Sequence, residues 1–490
     1  MPNNSQTQTP LRVLIIGSGF GGLGMAIQLQ KAGIEDFLLL EKAAEVGGTW
    51  RDNSYPGAAC DVPSHLYSFS FELKTDWSRK YAPQAEIHAY MLHCVAKYQL
   101  RSRIRFNAEV ASAAFDEAAA LWRVTLSNGE VLSADALISA CGQLNQPAYP
   151  ALPGIERFAG EAFHSARWQH EVDLNGKRVA VIGTGASAIQ FVPQIQPQVA
   201  ELTLFQRSAA YVLPKADRAY RPWELALMRR MSWLQHIDRG LKYLQHEARA
   251  LAFINLPWLL KLFSQSFKWH LHKQVAAPQL RTQLQPDYPM GCKRILISND
   301  YFPALAQPNA QVISTAISAI TEHAVVTADG REHPCDVLIY GTGFAATDFL
   351  ARMQIRGLGG RELNQVWRDG AEAYKGISVS GFPNLFILYG PNTNLGHNSM
   401  LYMLESQFSY VLGCLDVLRQ GVRYLDVKVA VQQRYNQQIQ ARSHRTIWEQ
   451  GCTSWYKTAS GKNTNNWPGY TFTYRHLTRT PELTDYECTR

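Results

Sequence analysis

Residues 17–22 form the pattern G-x-G-x-x-G, whose spacing suits the binding of a dinucleotide pyrophosphate. Gly17 permits a tight turn, Gly19 lets the backbone approach phosphate, and Gly22 lets a helix pack closely on a strand. The N–H groups and the dipole at a helix start favour anions there. Glu41 follows about 20 residues later, at the end of a second apolar run, where a carboxylate can hydrogen-bond a ribose hydroxyl. The first motif therefore predicts a dinucleotide site.

A second motif, G-x-G-x-x-A, lies at residues 183–188. The apolar run that follows ends in Arg207 and Ser208, with no acid. A carboxylate there would repel a ribose 2′-phosphate, whereas Arg207 would pair with it, so the motif favours NADPH over NADH. A solvated surface charge is the plain alternative for Arg207. The candidate NADPH-binding residues of this motif are Gly183, Thr184, Gly185, Ser187, Ala188, Arg207 and Ser208.

Each motif lies between two apolar runs, which is the pattern of a strand, a helix and a second strand. The sequence therefore predicts an α/β fold with two Rossmann-like dinucleotide-binding domains, the second inserted in the first and carrying a helical subdomain. The predicted segments are a disordered tail (1–10), the FAD-binding domain (11–147 and 345–490), the NADPH-binding domain (148–215 and 288–344) and a helical insertion (216–287).

In the insertion, apolar residues recur at the spacing of an α-helix, and the segment is rich in tryptophan, leucine and basic residues. A basic amphipathic helix can lie on a membrane surface. Packing on the domain with the apolar side chains inward is the more ordinary arrangement, and it is favoured here over membrane contact.

Composition narrows the class of protein. The 490 residues carry a net charge of +8 without a basic block, and no nucleic-acid recognition motif is present, so a nucleic-acid partner is not expected. The eight cysteines are scattered, which predicts no metal site and reduced thiols that serve as small core residues. The polar start lacks a signal-peptide pattern and no long apolar run occurs, so a cytoplasmic location is expected.

One FAD site and one NADPH site imply transfer of a hydride from nicotinamide to flavin. A disulfide reductase would carry a close cysteine pair after the first fold, and this chain has none. The electrons are therefore expected to go to molecular oxygen.

Three segments resemble the fingerprints of Baeyer–Villiger monooxygenases. Residues 47–61, G-G-T-W-R-D-N-S-Y-P-G-A-A-C-D, fit the first at every defined position, and residues 158–168, F-A-G-E-A-F-H-S-A-R-W, fit the second. Gln169 departs from the Pro or Asp that normally follows, which keeps the related flavin-containing N- and S-oxygenases as an alternative. Residues 336–344 resemble the third, with Gly341 in place of alanine.

The resemblance implies an active site. The segment 291–294, G-C-K-R, matches a family motif, so Arg294 is expected to stabilise a C4a-peroxyflavin, Asp61 to position Arg294, and Lys293 to reach the NADPH 2′-phosphate. His164 is expected to be structural. Further cofactor contacts are predicted for Phe20, Gly48, Thr49, Trp50, Asp61, Tyr67 and Asn392.

The implied function is oxygenation of a small ketone with O2 to an ester or lactone, by a monomer or homodimer. A non-catalytic, flavin-binding redox sensor is the alternative from another class. The intact second nucleotide motif with Arg207 argues against it, since a sensor needs no site for an NADPH phosphate.

Overall fold

The computed structural model describes residues 11–452 and 454–489. The predicted disordered tail, residues 1–10, lies outside this part of the chain. Both predicted strand–helix–strand units are present at the predicted places, and the predicted α/β fold with two Rossmann-like sheets is confirmed.

The strands of the described residues, in chain order, are β1 (Val13–Ile16), β2 (Phe37–Leu40), β3 (Ile104–Arg105), β4 (Val110–Asp116), β5 (Leu121–Leu126), β6 (Val131–Ala134), β7 (Ala136–Ser139), β8 (Glu161–His164), β9 (Arg178–Ile182), β10 (Glu201–Phe205), β11 (Val212–Leu213), β12 (Leu296–Ile297), β13 (Ala310–Ile313), β14 (Ile317–Ile320), β15 (Ala324–Thr327), β16 (Glu332–Pro334), β17 (Val337–Tyr340), β18 (Gln354–Arg356), β19 (Leu385–Ile387), β20 (Tyr424–Val427) and β21 (Tyr486–Thr489).

The α-helices are α1 (Phe20–Lys31), α2 (Thr49–Asp52), α3 (Gln84–Lys97), α4 (Ala188–Ile195), α5 (Pro222–Arg230), α6 (Trp233–Ile254), α7 (Leu259–Gln274), α8 (Pro278–Gln283), α9 (Tyr301–Leu305), α10 (Leu363–Val366), α11 (Met400–Arg419), α12 (Val429–Ser443) and α13 (Thr471–Leu477).

Two parallel five-stranded sheets dominate the fold, with strand orders β19-β7-β1-β2-β3 and β13-β10-β9-β17-β8. In both, the strand before a glycine motif is central and the next strand of its unit lies beside it, so β1 corresponds to β9 and β2 to β10. In each sheet, the chain that follows the central strand first adds strands on one side of it and later returns to its other side, so the strand order reverses beside the central strand. In open α/β sheets, ligands bind at the carboxyl ends of the strands at such a point.

The alternating side chains of β1 show how the first sheet is covered. Val13 and Ile15 pack in one core with α1 and α11, while Leu14 and Ile16 pack in another with the antiparallel strands β4 and β5. Burial on both faces explains why the strand reads as a continuous apolar run. The strand β19, far along the chain, joins β7 in this sheet, and all strands of the second sheet lie between residues 161 and 340.

The predicted inward packing of the insertion is wrong for its four tryptophans and for several of its leucines. The helices are present, as α5 to α8, but Trp223, Trp233, Trp258 and Trp269 are all exposed. Four tryptophans on the surface of one segment need an explanation, because this side chain is rarely left in water. Within residues 11–452 and 454–489, no helix is both long and apolar enough to cross a membrane.

Candidate active site

The first glycine motif forms the turn between β1 and α1. Gly17 has φ +100°, and a Cβ on Gly22 would lie 1.9 Å from the Gly17 carbonyl oxygen, so helix and strand meet as predicted. A Cβ on Gly19 would meet nothing within 4 Å, which leaves its outer side open. The start of α1 has no side-chain cap and no acid in its first turn. Its N–H groups are therefore available to a pyrophosphate.

Glu41 is buried beside this turn. Its Oε2 accepts hydrogen bonds from the N–H (3.0 Å) and the hydroxyl (2.7 Å) of Ser18, and its Oε1 pairs with Arg51 at 3.1 Å. These partners hold the carboxylate at the end of β2, where a ribose hydroxyl would reach it.

The predicted cofactor residues after β2 lie against the first motif. The N–H of Gly47 donates to the Ser18 carbonyl at 3.1 Å, which brings Gly48 next to Gly19, with Thr49 following at the start of α2. The indole of Trp50 donates to the Tyr67 hydroxyl at 3.1 Å, and the ring of Phe20 meets Tyr67 edge-on. The structure thus gathers Phe20, Gly48, Thr49, Trp50 and Tyr67 around one turn.

The same fingerprint segment also contacts the second nucleotide unit. Gln190, on α4, accepts from the Tyr55 hydroxyl at 2.9 Å and donates to the Ala59 carbonyl at 3.0 Å. A Cβ on Gly57 would lie 2.7 Å from the Gln190 carbonyl oxygen, so glycine is needed for this close approach. Sequence analysis missed Gln190, which carries no motif signal.

Arg294 and Asp61, 233 positions apart in sequence, form the predicted ion pair. The Arg294 Nε donates to Asp61 Oδ2 at 3.1 Å, and its Nη2 donates to the same oxygen. Burial would raise the pKa of Asp61, but the charge and hydrogen bonds of Arg294 hold it below its ordinary value. Asp61 in turn raises the pKa of Arg294. The pair is therefore fully ionised, and arginine keeps its charge throughout a reaction cycle.

Three further ionisable side chains lie near this pair, and sequence analysis missed all of them. Tyr389 and Tyr456 interact with the Arg294 charge, and burial raises the pKa of Tyr456 to about 12. Lys215 adds a second positive charge near Asp61, although burial lowers its own pKa. They come from separate segments, so no local pattern marks them.

A second positive site lies beside the second glycine motif. Lys293 donates to the Ser208 hydroxyl at 2.9 Å, and the Thr184 hydroxyl donates to the Ser208 carbonyl at 3.1 Å. Burial and the nearby Arg207 charge both lower the pKa of Lys293. In the described part of the chain, neither Lys293 nor Arg207 has an acidic side chain at salt-bridge distance. Two neighbouring cations that form no salt bridge are suited to a phosphate, and the Asp287 carboxylate only partly offsets the charge of Lys293.

The expectation of reduced cysteines is wrong for one pair. Cys292 and Cys452 form a disulfide with their Cα atoms 6.2 Å apart, while Cys60, Cys94, Cys141, Cys335, Cys414 and Cys488 are free. The sequence separation of 160 residues forms no recognisable spacing, so only the fold brings the two sulfurs together. The bond ties the segment that carries Lys293 and Arg294 to the segment that leads to Tyr456.

Asn392 lies in a buried turn with φ +57°. Its side-chain amide donates to the carbonyls of Asn463 (2.8 Å) and Asn466 (3.3 Å). These bonds attach the turn before α11 to the C-terminal segment. Contact of Asn392 with a cofactor stays a prediction.

His164 is fully buried. Its Nδ1 accepts from the Ala166 N–H at 3.1 Å, and its Nε2 is without a hydrogen-bond partner in the described structure. Burial lowers the pKa of His164 to about 4. A neutral, enclosed ring agrees with the structural role predicted from the resemblance.

Stability is expected to fall as the solution becomes acidic. Burial lowers the pKa of His164 and His246 to about 4 and that of His397 to about 3. Their unfolded pKa is about 6.5, so the unfolded state binds more protons between these values and stability is lost as pH falls. The loss is about 2 kcal/mol per histidine by about pH 5. Thermal unfolding across this pH range measures it.

The variant His164→Gln removes one of the three groups and should make this pH dependence shallower. His323→Gln changes an exposed histidine and is the matched control. An unchanged slope in His164→Gln would contradict the neutral state of the buried ring.

Comparison with known proteins agrees with this geometry. Residues 10–353 match the model of a family described as flavin-binding monooxygenase-like. A Baeyer–Villiger monooxygenase from Pseudomonas aeruginosa is 50% identical over 481 residues, covering 98% of this chain and 91% of the relative.

Solved structures of the same kind superpose on nearly the whole chain. A steroid monooxygenase bound to NADP has a TM-score of 0.87 and 29% identity, and covers 98% of this chain and 100% of its own. A closed form of cyclohexanone monooxygenase has a TM-score of 0.89 and 26% identity, with 99% and 100% covered. The chain therefore belongs to the flavin-binding monooxygenase-like family, among the Baeyer–Villiger monooxygenases.

Proposed function

We propose that this chain is an FAD-dependent, NADPH-consuming monooxygenase that converts a small ketone and O2 into an ester or lactone. The observation that carries the proposal is the ionised Arg294–Asp61 pair, which holds a permanent positive charge at the end of the fingerprint segment 47–61. Family membership supports the reaction class.

The residues present fit both cofactors. The open outer side of Gly19, the uncapped start of α1 and the carboxylate of Glu41 would hold the pyrophosphate and ribose of FAD. The unpaired cations Arg207 and Lys293 would hold the 2′-phosphate of NADPH. Bound FAD would supply the two-electron chemistry that links NADPH oxidation to O2, with one oxygen atom entering the substrate and the other leaving as water.

The chain's own groups supply charge and position. Arg294 provides a permanent positive charge where negative charge develops during oxygen activation, and such fixed groups are a major source of rate enhancement. Asp61 accepts two hydrogen bonds along one edge of the guanidinium and so fixes its orientation, which makes Asp61 a positioning residue. Lys215 adds to the positive field. Such a field favours an anionic oxidant, which attacks a carbonyl carbon, over a protonated one, which oxidises sulfur or nitrogen.

Turnover of the purified holoprotein tests the proposal. NADPH consumption is measured with isotope-labelled O2 and a linear, a cyclic and an aromatic ketone, and the products are identified by mass spectrometry. One labelled oxygen in an ester or lactone supports the proposal. Sulfoxides or N-oxides alone, from matched sulfide and amine substrates, would make the chain an N- or S-oxygenase. NADPH oxidation without any oxygenated product would contradict it.

Replacement of Arg207 should weaken the preference for NADPH over NADH. Arg207→Ala removes one charge-assisted contact to the 2′-phosphate, worth about 1.5–3 kcal/mol, and so lowers kcat/KM for NADPH by about 10- to 100-fold. The value for NADH, which lacks this phosphate, should stay the same. Arg368→Ala, at another exposed arginine, is the control. An equal fall in kcat/KM for NADPH and NADH would show that Arg207 does not bind the 2′-phosphate.

A further inference from the structure

The helix α6 is placed in the fold with its apolar side outward. Its exposed large apolar residues recur at helical spacing and form one stripe, and Leu241 and Leu244 are 62% and 63% exposed. The stripe consists of Trp233, Ile237, Leu241, Leu244 and Leu251. An ordinary surface helix has the opposite orientation, with its apolar side on the core.

Polar anchors hold α6 in this orientation. Arg239 is buried and donates to the carbonyls of His65 (2.8 Å) and Ser68 (2.8 Å). Glu247 is also buried and accepts from the N–H (2.6 Å) and hydroxyl (2.7 Å) of Thr471. Turning the apolar stripe inward would break these bonds and leave buried charged groups unsatisfied, which is costly. The outward stripe is therefore a stable feature of the folded protein.

The helices α5 and α7 both contact α6, and each also exposes large apolar side chains. The helix α5 exposes Trp223 and Leu227, and α7 exposes Leu262, Phe263 and Trp269. In the described part of the chain, four tryptophans are exposed, and all four lie in or between these helices. We call the exposed apolar residues of 223–269 the outer patch. Monomeric proteins rarely expose so much apolar surface unless it binds a partner.

The segment that carries the outer patch is positively charged. Residues 222–274 hold eight lysines and arginines but three acids, a net charge of +5. All three acids are already engaged: Glu224 with Arg218, Asp238 with His65, and Glu247 with Thr471. Arg229, Arg230, Lys261, Lys268 and Lys273 remain exposed beside the patch.

We propose that the outer patch docks on an anionic phospholipid bilayer, with its tryptophans and leucines in the interface and its basic residues on the headgroups. Exposed tryptophan with flanking lysine and arginine is the composition that membrane interfaces favour. A second copy of the chain would bring two positive surfaces together, which the charge opposes. The docking is peripheral and independent of the oxygenation chemistry.

Vesicle sedimentation of the holoprotein tests the docking. The probes are vesicles of phosphatidylcholine alone and of phosphatidylcholine with phosphatidylglycerol, at low and high salt. We expect binding to the anionic vesicles that weakens with salt and is much lower on phosphatidylcholine. The double variant Leu241→Glu/Leu244→Glu should lower the partition coefficient about tenfold or more, since it places charge in the apolar stripe.

The control is Val131→Glu/Val429→Glu, at apolar side chains of similar exposure outside the patch. It should bind vesicles like the unmodified protein, and flavin content checks that both variants fold. Absence of binding to anionic vesicles, or equal binding by the Leu241/Leu244 variant, would overturn the proposal. Analytical ultracentrifugation without lipid tests whether a second copy of the chain binds the patch instead. If the unmodified protein forms a dimer and binds no lipid, and the Leu241/Leu244 variant is monomeric, the patch is a self-association surface and the proposal is overturned.

Discussion

The substitution Arg294→Ala is expected to lower the rate of ketone oxygenation by at least about 100-fold, whereas NADPH should still reduce the bound flavin. The guanidinium is the fixed positive charge of the site, held by Asp61 and interacting with Tyr389 and Tyr456. Removing one preorganised charge-stabilising group typically costs this much in rate. Flavin reduction depends instead on NADPH binding and hydride geometry. Anaerobic stopped-flow absorbance measures reduction, and product analysis by mass spectrometry measures oxygenation.

Two companion variants separate loss of charge from loss of structure. Arg294→Lys keeps a cation beside Asp61 but cannot donate two hydrogen bonds in a fixed plane, so intermediate oxygenation is expected. Arg331→Ala, at an arginine that is 80% exposed, should behave like the unmodified protein. Full oxygenation by Arg294→Ala, with normal flavin content, would show that the arginine has no part in the reaction.

Gly22→Ala is expected to abolish FAD binding and to destabilise the first nucleotide fold by about 3 kcal/mol or more. The added Cβ would lie 1.9 Å from the Gly17 carbonyl oxygen, and this neighbour is backbone that cannot rotate away. The helix must therefore move from the strand, which displaces the N–H groups that face the pyrophosphate. Flavin content after purification and the thermal unfolding temperature measure the effect.

Gly240→Ala is the matched control for this substitution. Gly240 lies inside α6, and a Cβ there would meet nothing within 4 Å, so alanine should keep the flavin and stabilise the helix by about 1 kcal/mol. A stable, fully flavin-loaded Gly22→Ala protein would contradict the close packing of α1 on β1.

Local patterns were sufficient to predict the two nucleotide units. The glycines at 17–22 and 183–188 each act within one turn, between a strand and a helix that are adjacent in sequence. Their chemistry depends on short-range backbone geometry, which residue type determines directly. The predicted α/β class with two Rossmann-like sheets followed from these units and is confirmed. The pairing of Arg294 with Asp61 had no such basis, since 233 positions separate them, and was accessible only through resemblance to a family.

The tertiary structure decided the features that depend on distant contacts. Hydrophobic periodicity predicted that the insertion, residues 216–287, is helical, but it could not set the rotation of α6 about its axis. That rotation follows from hydrogen bonds of Arg239 and Glu247 to segments more than 150 positions away. The Cys292–Cys452 disulfide likewise needs two loops to meet. The sequence by itself determined the motifs and the elements that carry them, because those are local. Which faces turn outward and which side chains surround Arg294 were decided by packing and charge between segments that only the folded chain brings together.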